Sequence, residues 1–441
     1  MEKMISTRRV FLQKGLTLLA IAPTIPTFLD QTVLALSNAD DVARTQGISG
    51  RDGKILVVVQ LSGGNDGLST VVPYGDDAYY RARGQLAHPA NSILKINDYI
   101  GLNGKLTGMH DLLDQGKLAV IQGVGYPNPN RSHFRAMDIW QSAQPERDAP
   151  ISGWVGRYFD NTCPGCDPKV GVAIGETLPL VMQGERVMPL SFSRPENYRF
   201  HGPDQQHYMA LNQTDDAAPV ATPAPPATPA AKAAMARADA KIQITPASQL
   251  DFLHRTAMDA QVSSDDLLRM TKSHQSPAQY PGNEFGNGLK TIAAMIQGGL
   301  PTRVYYVALG GFDTHAGQVG RHDALMTQLS QGVAAFWADL KQQQNDDRVL
   351  MMTFSEFGRR VTANASGGTD HGAAAPMFVM GKGVREGVVG NHPSLTNLDQ
   401  GDLRYGVDFR SVYATILQNW LGTASKPVLG NQFATLPLLR V

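Results

Sequence analysis

The chain has no excess of charge of either sign, because its 39 lysine and arginine residues are matched by 39 aspartate and glutamate residues. A large net charge is what draws a protein over a distance to nucleic acid or to an anionic membrane surface. The balanced charge therefore gives no reason to expect a nucleic-acid partner, and none is predicted.

Cysteine is nearly absent, and the two that occur, Cys163 and Cys166, lie in one Cys-Pro-Gly-Cys sequence. Two thiolates alone cannot complete a tetrahedral zinc site. A redox role like that of thioredoxin needs such a pair at the start of a helix that follows a strand, whereas these flanks are typical of an irregular polar turn. We predict a structural disulfide, with a redox protein working through this pair as an alternative.

The N-terminal apolar stretch, residues 15–25, is interrupted by proline well short of the ~20 residues that a membrane-spanning helix needs. It follows residues 7–13, Thr-Arg-Arg-Val-Phe-Leu-Gln, which resemble a bacterial twin-arginine export signal. We therefore expect residues 1–39 to be a signal peptide that engages the twin-arginine translocase. The expected location of the protein is periplasmic or secreted.

The 441 residues are enough for one large domain or two ordinary ones, and the 44 glycines and 27 prolines favour a loop-rich α/β protein over a helical bundle. Residues 214–240 are rich in proline and alanine, which predicts a flexible surface insertion. Because site-like residues fall on both sides of it, we predict one domain over residues 50–441. A division into two domains is the alternative.

Apolar runs alternate with amphipathic segments along most of the chain. Buried strands are predicted at 54–60, 117–124, 303–309, 348–354 and 376–380, and helices at 133–142, 248–272, 287–298, about 325–340 and 408–421. Such alternation is typical of a mostly parallel sheet that is covered by helices on both faces. The predicted fold class is a three-layer α/β/α sandwich.

Three predicted strands end in side chains that can bind a metal. Asp66 follows the first strand, Asp313 and His315 follow a second, and Glu356 ends a third. Ligands gather at the carboxyl ends of strands in open α/β sheets, and carboxylate with imidazole is the ligand mix of zinc, manganese or iron. One composite metal site is predicted. The alternatives are that Asp313 caps the next segment beside an incidental His315, and that Glu356 compensates a helix dipole.

Asp370 and His371 lie in a loop of glycine and alanine at residues 366–375. A run of this composition does not form a stable helix or strand by itself, so we interpret the ionisable pair within it as functional. The alternative is a turn held by an aspartate side-chain hydrogen bond.

Ser132 stands where a helix begins after the predicted strand 117–124. A serine there has its hydroxyl near free backbone N–H groups, and the neighbouring Arg131 can pair with an anionic oxygen. These residues suit a metal-activated nucleophile that attacks a phosphate or sulfate ester. The alternative is that Ser132 is only the N-cap of the helix.

These motifs resemble the DUF1501 family of bacterial proteins, within the alkaline phosphatase–sulfatase superfamily. The resemblance rests on the twin-arginine leader and on five segments: Gly63-Gly64-Asn65-Asp66-Gly67, Arg131-Ser132-His133-Phe134, Gly311-Phe312-Asp313-Thr314-His315, Phe354-Ser355-Glu356-Phe357-Gly358-Arg359 and Gly368-Thr369-Asp370-His371-Gly372. It implies an alkaline phosphatase-like fold over the predicted domain.

The superfamily resemblance also implies a role for each residue. Asp66 would be the metal carboxylate of the first strand and Ser132 the nucleophile. Asp313 and His315 would hold one metal, and His371 would be the late histidine of the site.

This sequence departs from the superfamily pattern at two places. Asp313 and His315 are two residues apart rather than four, and Glu356-Phe357 replaces an Asp-His pair. Asp370 and His133 are then further candidates for a second metal. With fewer nitrogen ligands, the expected cofactor is one or two divalent ions drawn from Zn²⁺, Mn²⁺, Mg²⁺ and Ca²⁺.

The sequence thus predicts an exported metal-dependent hydrolase that acts on a small anionic phosphate or sulfate ester. Ser132 and Arg131 are its predicted catalytic residues. The alternative is a non-catalytic exported protein that uses the same fold to bind a component of the cell envelope.

Overall fold

The computed structural model of the protein describes residues 53–164, 166–198 and 264–440. The predicted signal peptide at 1–39 and the predicted insertion at 214–240 lie outside these ranges. Within them, none of the helices has the length and apolar character that crossing a membrane requires.

Twelve strands in the described chain form two sheets. Numbered in chain order, they are β1 (Ile55–Leu61), β2 (Val71–Val72), β3 (Leu94–Lys95), β4 (Gly101–Leu102), β5 (Leu118–Gly125), β6 (Gly171–Ile174), β7 (Leu190–Phe192), β8 (Val304–Leu309), β9 (Val349–Phe354), β10 (Ala375–Met380), β11 (Gly387–Val389) and β12 (Val407–Asp408). The five strands predicted from apolar runs correspond to β1, β5, β8, β9 and β10.

The larger sheet has the strand order β11-β5-β10-β9-β1-β8-β6-β7, with β12 paired to the end of β5. Its pairs are parallel, except that β10 runs antiparallel to both β5 and β9. The prediction of a mostly parallel sheet is confirmed. The smaller sheet, β2-β4-β3, is antiparallel and short.

The α-helices of the described chain are Gly67–Thr70, Asp77–Arg83, Thr107–Asp114, His133–Ser142, Trp154–Thr162, Glu284–Gln297, Gln318–Gln342, Phe409–Thr415 and Ser425–Leu429. Residues 264–273 are helical too. The helix predicted at 408–421 is interrupted, because its second half is a π-turn, Ile416–Trp420. The start of the helix predicted at 248–272 lies outside the described residues.

Helices cover both faces of the larger sheet, because its strands are apolar on both sides. In β1, Leu56 and Val58 pack into one core, which also contains Trp140, Tyr158 and Tyr413 from three helices. The alternate residues Ile55, Val57 and Val59 pack into the other core, with Leu112, Leu289 and Phe336. Each fully buried aliphatic side chain contributes roughly 1.5–3 kcal/mol. The three-layer α/β/α prediction is confirmed.

The strand register brings several loops to one edge of the sheet. Leu61 at the end of β1 pairs with Leu309 at the end of β8, and Gln60 pairs with Phe354 at the end of β9. β10 starts at the same edge, where Ala375 pairs with Val124 near the end of β5. The loops after β1, β5, β8 and β9 therefore meet the loop before β10.

Cys163 and Cys166 are joined by a disulfide, as predicted. Cys163 follows the last residue of the helix Trp154–Thr162 and is almost fully buried. The redox alternative needed a pair at the start of a helix, and this pair lies at the end of one.

Candidate metal centre

Three imidazoles and one carboxylate converge at the carboxyl edge of the sheet. His133 is the first residue of the helix after β5, Asp313 and His315 come from the loop after β8, and His371 comes from the loop before β10. His133, Asp313 and His371 each offer a ligand atom within 4.8 Å of the other two.

Asp313 lies between the three rings. Its Oδ1 is 3.0 Å from His315 Nε2 and 3.4 Å from His371 Nε2, and its Oδ2 is 3.5 Å from His133 Nε2. Ligand atoms around one tetrahedral ion with bonds of ~2.0–2.1 Å are about 3.3 Å apart. His133, Asp313 and His371 therefore fit one divalent ion, and His315 Nε2 lies beside two of these three ligands.

Two of the imidazoles are oriented by an acceptor at Nδ1. His133 Nδ1 donates to Glu356 Oε1 at 3.0 Å, and His371 Nδ1 donates to the carbonyl oxygen of Arg131 at 2.7 Å. A carbonyl or an ionised carboxylate can only accept, so the hydrogen is on Nδ1 and Nε2 keeps its lone pair. Such outer partners are what fixes the tautomer of a metal-binding histidine.

His315 has the same arrangement at the exposed side of the centre. Its Nδ1 faces Asp370 Oδ1 at 3.4 Å, and its Nε2 lies 2.9 Å from His371 Nε2. Asp370 is itself held by Asn364 Nδ2 at 3.1 Å, and this hydrogen bond is the main reason that its pKa is lowered. Burial lowers the pKa of His371, which favours the neutral ring that a metal requires.

Glu356 lies behind the centre, and its side chain is only 1 % exposed. Besides the hydrogen of His133 Nδ1, it accepts from the backbone N–H of Gly63 at 2.7 Å. No helix starts at Glu356 in the described chain, so dipole compensation does not account for it. Its place in the structure is that of an outer partner that orients His133.

Arg359, which is not among the predicted site residues, holds Asp313 from the buried side. The guanidinium is fully buried, and its Nη2 donates to Asp313 Oδ1 at 2.7 Å. Burial by itself would raise the pKa of the Asp313 carboxyl, but this hydrogen bond and the charge of Arg359 lower it. The carboxylate is therefore ionised and ready to bind a cation at neutral pH.

Phe357 forms an apolar floor under the imidazoles. The centre of its ring is 4.8 Å from that of His133 and 4.4 Å from that of His371. Gly64 leaves room for it, because a Cβ at Gly64 would lie 2.2 Å from the Phe357 ring. The packing holds both rings in place and keeps water from their inner faces.

Asp66 has a different set of partners from the one predicted. It is fully buried, forms an ion pair with Arg83, and also accepts from Ser69 Oγ at 2.8 Å and from Gln318 Nε2. Its side chain caps the short helix Gly67–Thr70. Burial would raise the pKa of this carboxyl, but Arg83 holds it far below its usual range. The structure thus places Asp66 in a buried network beneath the loops rather than in the cluster around Asp313.

Ser132 occupies the N-cap position of the helix His133–Ser142, but its hydroxyl makes no capping hydrogen bond. The side chain is exposed, and both of its neighbours in sequence take part in the centre: Arg131 through its carbonyl oxygen and His133 through its ring. The Arg131 guanidinium pairs with Asp402, with 2.8 Å between Nε and Oδ2.

The structure therefore brings Asp313, His315 and His371 together, with Asp370 and Glu356 as outer partners of two rings. His133, considered in the sequence only as a possible additional ligand, completes the group. Arg359 lies in one of the segments on which the family resemblance rests, three residues after Glu356, and this could have marked it as a site residue. Its position in the sequence does not indicate that it pairs with Asp313.

The architecture and the cluster define an α/β/α protein with a candidate His/Asp metal centre. The family model described as "protein of unknown function (DUF1501)" matches residues 53–429. The chain belongs to the DUF1501 family, which confirms the predicted membership. None of the curated proteins matches this chain.

Solved structures similar to the protein include a member of the alkaline phosphatase superfamily from Vibrio parahaemolyticus, at 8% identity and a TM-score of 0.36, covering 92% of this chain and 79% of that one. A sulfatase from Pseudoalteromonas sp. has 12% identity, a TM-score of 0.32 and coverage of 91% and 72%. A phosphonate monoester hydrolase from Silicibacter pomeroyi has 12% identity, a TM-score of 0.29 and coverage of 87% and 78%. Likenesses this low carry no inference about activity.

Proposed function

We propose that the protein is an exported metal-dependent hydrolase of phosphate or sulfate esters, with Ser132 as its nucleophile. The observation that carries the proposal is the convergence of three imidazole Nε2 atoms on Asp313, with Ser132 next to His133 in the chain. The twin-arginine motif at residues 7–13 supports export to the periplasm or beyond.

His133, His371 and Asp313 would hold a divalent ion, with His315 Nε2 as a further donor beside them. A mix of imidazole nitrogens with a carboxylate suits Zn²⁺ or Mn²⁺ better than Mg²⁺ or Ca²⁺. When bound, such an ion lowers the pKa of a nearby hydroxyl and offsets the negative charge of an ester oxygen. Arg359 and Glu356 keep the ligands oriented, the first through Asp313 and the second through His133.

Ser132 is suited to attack because its hydroxyl is exposed and not engaged in capping. It lies at the positive end of a ten-residue helix, where free backbone N–H groups favour the anionic oxygens of a phosphate or sulfate ester. Arg131 is predicted to bind the anionic group of the substrate, but its guanidinium already pairs with Asp402. It would have to bind the substrate and Asp402 at the same time.

Specific observations favour a second candidate, a non-catalytic protein that binds an anionic envelope component. Asp66 is committed to Arg83 and Arg131 to Asp402, so two of the predicted site residues already have charged partners. In that case the metal would only shape the binding surface.

Metal analysis of the purified protein, combined with hydrolysis of a panel of aryl phosphate, sulfate and phosphonate esters, distinguishes the two candidates. A hydrolase should bind metal and cleave at least one ester class, and Ser132→Ala should lower kcat/KM by about three orders of magnitude or more. Bound metal without any ester cleavage would favour the binding protein.

The matched control is Ser92→Ala. Ser92 is an exposed serine whose hydroxyl bonds to the Pro89 carbonyl oxygen in another loop, so its loss should leave hydrolysis unchanged. Full activity of the Ser132→Ala variant would remove Ser132 as the nucleophile.

A further inference from the structure

The guanidinium of Arg359 is enclosed by oxygen atoms. Its Nε donates to Gly64 O at 2.7 Å and its Nη1 to Thr369 O at 2.9 Å. Its Nη2 donates to the carbonyl oxygens of Gly63 and Phe312 and to Asp313 Oδ1. Four carbonyls and one carboxylate thus surround a permanent positive charge.

Oxygen ligands of this kind are what hard divalent cations prefer. Here the Arg359 guanidinium already occupies the oxygen cage, that is, the space enclosed by these four carbonyls and the Asp313 carboxylate. Its charge lies against Asp313 Oδ1, the oxygen that is also 3.0 Å from His315 Nε2. A second divalent ion at Asp313 would be repelled by Arg359 at short range.

Three other carboxylates that the sequence offered to a second ion also have partners, the first being Asp370, which accepts from Asn364 Nδ2 at 3.1 Å. Asp66 is paired with Arg83, and Glu356 accepts from Gly63 N–H and His133 Nδ1. The ring of Phe357, next to Glu356 in the chain, packs against the imidazoles and offers no ligand atom.

We infer that the centre takes one divalent ion and that Arg359 supplies the second positive charge at Asp313. This inference rests on the proposed metal-dependent function and specifies its stoichiometry. Arg359 is a positioning residue, since it acts on the ion through Asp313 and the loop carbonyls.

The test measures how many divalent ions each chain binds. The purified protein is stripped with a chelator and titrated with Mn²⁺, with calorimetry for affinity and electron paramagnetic resonance for the number bound. One ion per chain is expected, and two tightly bound ions would overturn the inference.

Variants of Arg359 separate its charge from its packing. Arg359→Lys keeps the charge and should still bind one ion, with an affinity within about tenfold of that of the wild type. Arg359→Ala leaves the oxygen cage open, so a second, weaker Mn²⁺ should bind there and be displaced by methylguanidinium. A folded Arg359→Ala protein that still binds one ion with unchanged affinity would overturn the inference.

Arg83→Ala is the matched control, because it also removes a fully buried arginine from a carboxylate. It should lower stability without changing the Mn²⁺ count. If neither alanine variant folds, the number of ions bound by the wild type and by Arg359→Lys tests the inference. Two ions bound to either protein would contradict it. A wild-type protein that binds no Mn²⁺ or Zn²⁺ refutes the proposed function itself, whereas two ions with ester hydrolysis refutes only the single-ion inference.

Discussion

His315 and His371 hold their Nε2 atoms 2.9 Å apart. His371 Nδ1 donates to a carbonyl oxygen, so its neutral ring carries a lone pair on Nε2. When the hydrogen of His315 is on Nδ1, toward Asp370, His315 Nε2 carries a lone pair as well. Two lone pairs directed at one another repel unless a positive charge lies between them. With Asp313 Oδ1 3.0 Å from His315 Nε2, a cation bound at the cluster would remove this repulsion.

We predict that His371→Ala lowers the affinity for Zn²⁺ by more than about a hundredfold, because it removes a direct ligand rather than an outer partner. Glu356→Gln should lower the affinity for Zn²⁺ by about 10- to 100-fold. This smaller effect is expected because the change leaves every ligand in place and weakens the hydrogen bond that orients His133. Competition with a chromophoric chelator measures both values.

The control for these variants is His110→Ala. His110 lies on the helix Thr107–Asp114, where it pairs with Asp114 and takes no part in the cluster. Zn²⁺ affinity should be unchanged in this variant. If His371→Ala bound Zn²⁺ as tightly as the wild type, the cluster would not be the metal centre.

The fold was largely predictable because its strands are long apolar runs. β1 and β9 are buried on both faces, so their sequences show a continuous apolar run that ends where the polar loop starts. The interruption of the last helix was not predictable, because the π-turn at Ile416–Trp420 has the same apolar spacing as an α-helix.

The candidate site was predictable in part. Asp313 and His315 follow β8, and the parallel register of β8 with β1 brings them to the edge where Asp66 also lies. His371 is at the same edge because β10, which it precedes, runs antiparallel to its neighbours, and this direction was not predicted. Asp66 follows a strand as well, but its partner Arg83 lies 17 residues further along the chain, on a helix whose packing is a tertiary property. Sequence position alone could not show which of these carboxylates would be paired with an arginine.

We predict that replacing both Cys163 and Cys166 with serine lowers the free energy of unfolding by only about 2 kcal/mol. The disulfide closes a very short loop, and the stabilisation from loop closure grows with loop length. Urea denaturation of the double variant measures the difference. Metal binding and ester hydrolysis should be unchanged, and loss of either would revive the redox alternative.

We predict that export depends on Arg8 and Arg9. Replacing both with lysine keeps the charge of the segment but removes the paired arginines that the translocase recognises. Cell fractionation of a bacterial host should find the wild-type protein in the periplasm or medium and the double variant in the cytoplasm. The control replaces Lys3 and Lys14 with arginine, and its export should match that of the wild type.

Acid should weaken the fold through Asp66. Its pKa in the folded protein lies far below the ordinary 3.8, because Arg83 outweighs the effect of burial. A depressed folded pKa means that the stabilisation is fully present above about pH 4 and is lost as the pH falls toward the folded value. At about pH 7, Asp66→Asn should lower the free energy of unfolding by about 3–5 kcal/mol, because the buried Arg83 loses its counter-charge.

Urea denaturation at about pH 7, 5 and 3 tests this, because the difference between the wild type and Asp66→Asn should shrink only at the lowest of these values. Asp77→Asn is the control. Asp77 is an exposed carboxylate at the start of the helix that carries Arg83, and its replacement should cost less than about 1 kcal/mol. If Asp66→Asn were as stable as Asp77→Asn at neutral pH, the Asp66–Arg83 pair would not stabilise the fold.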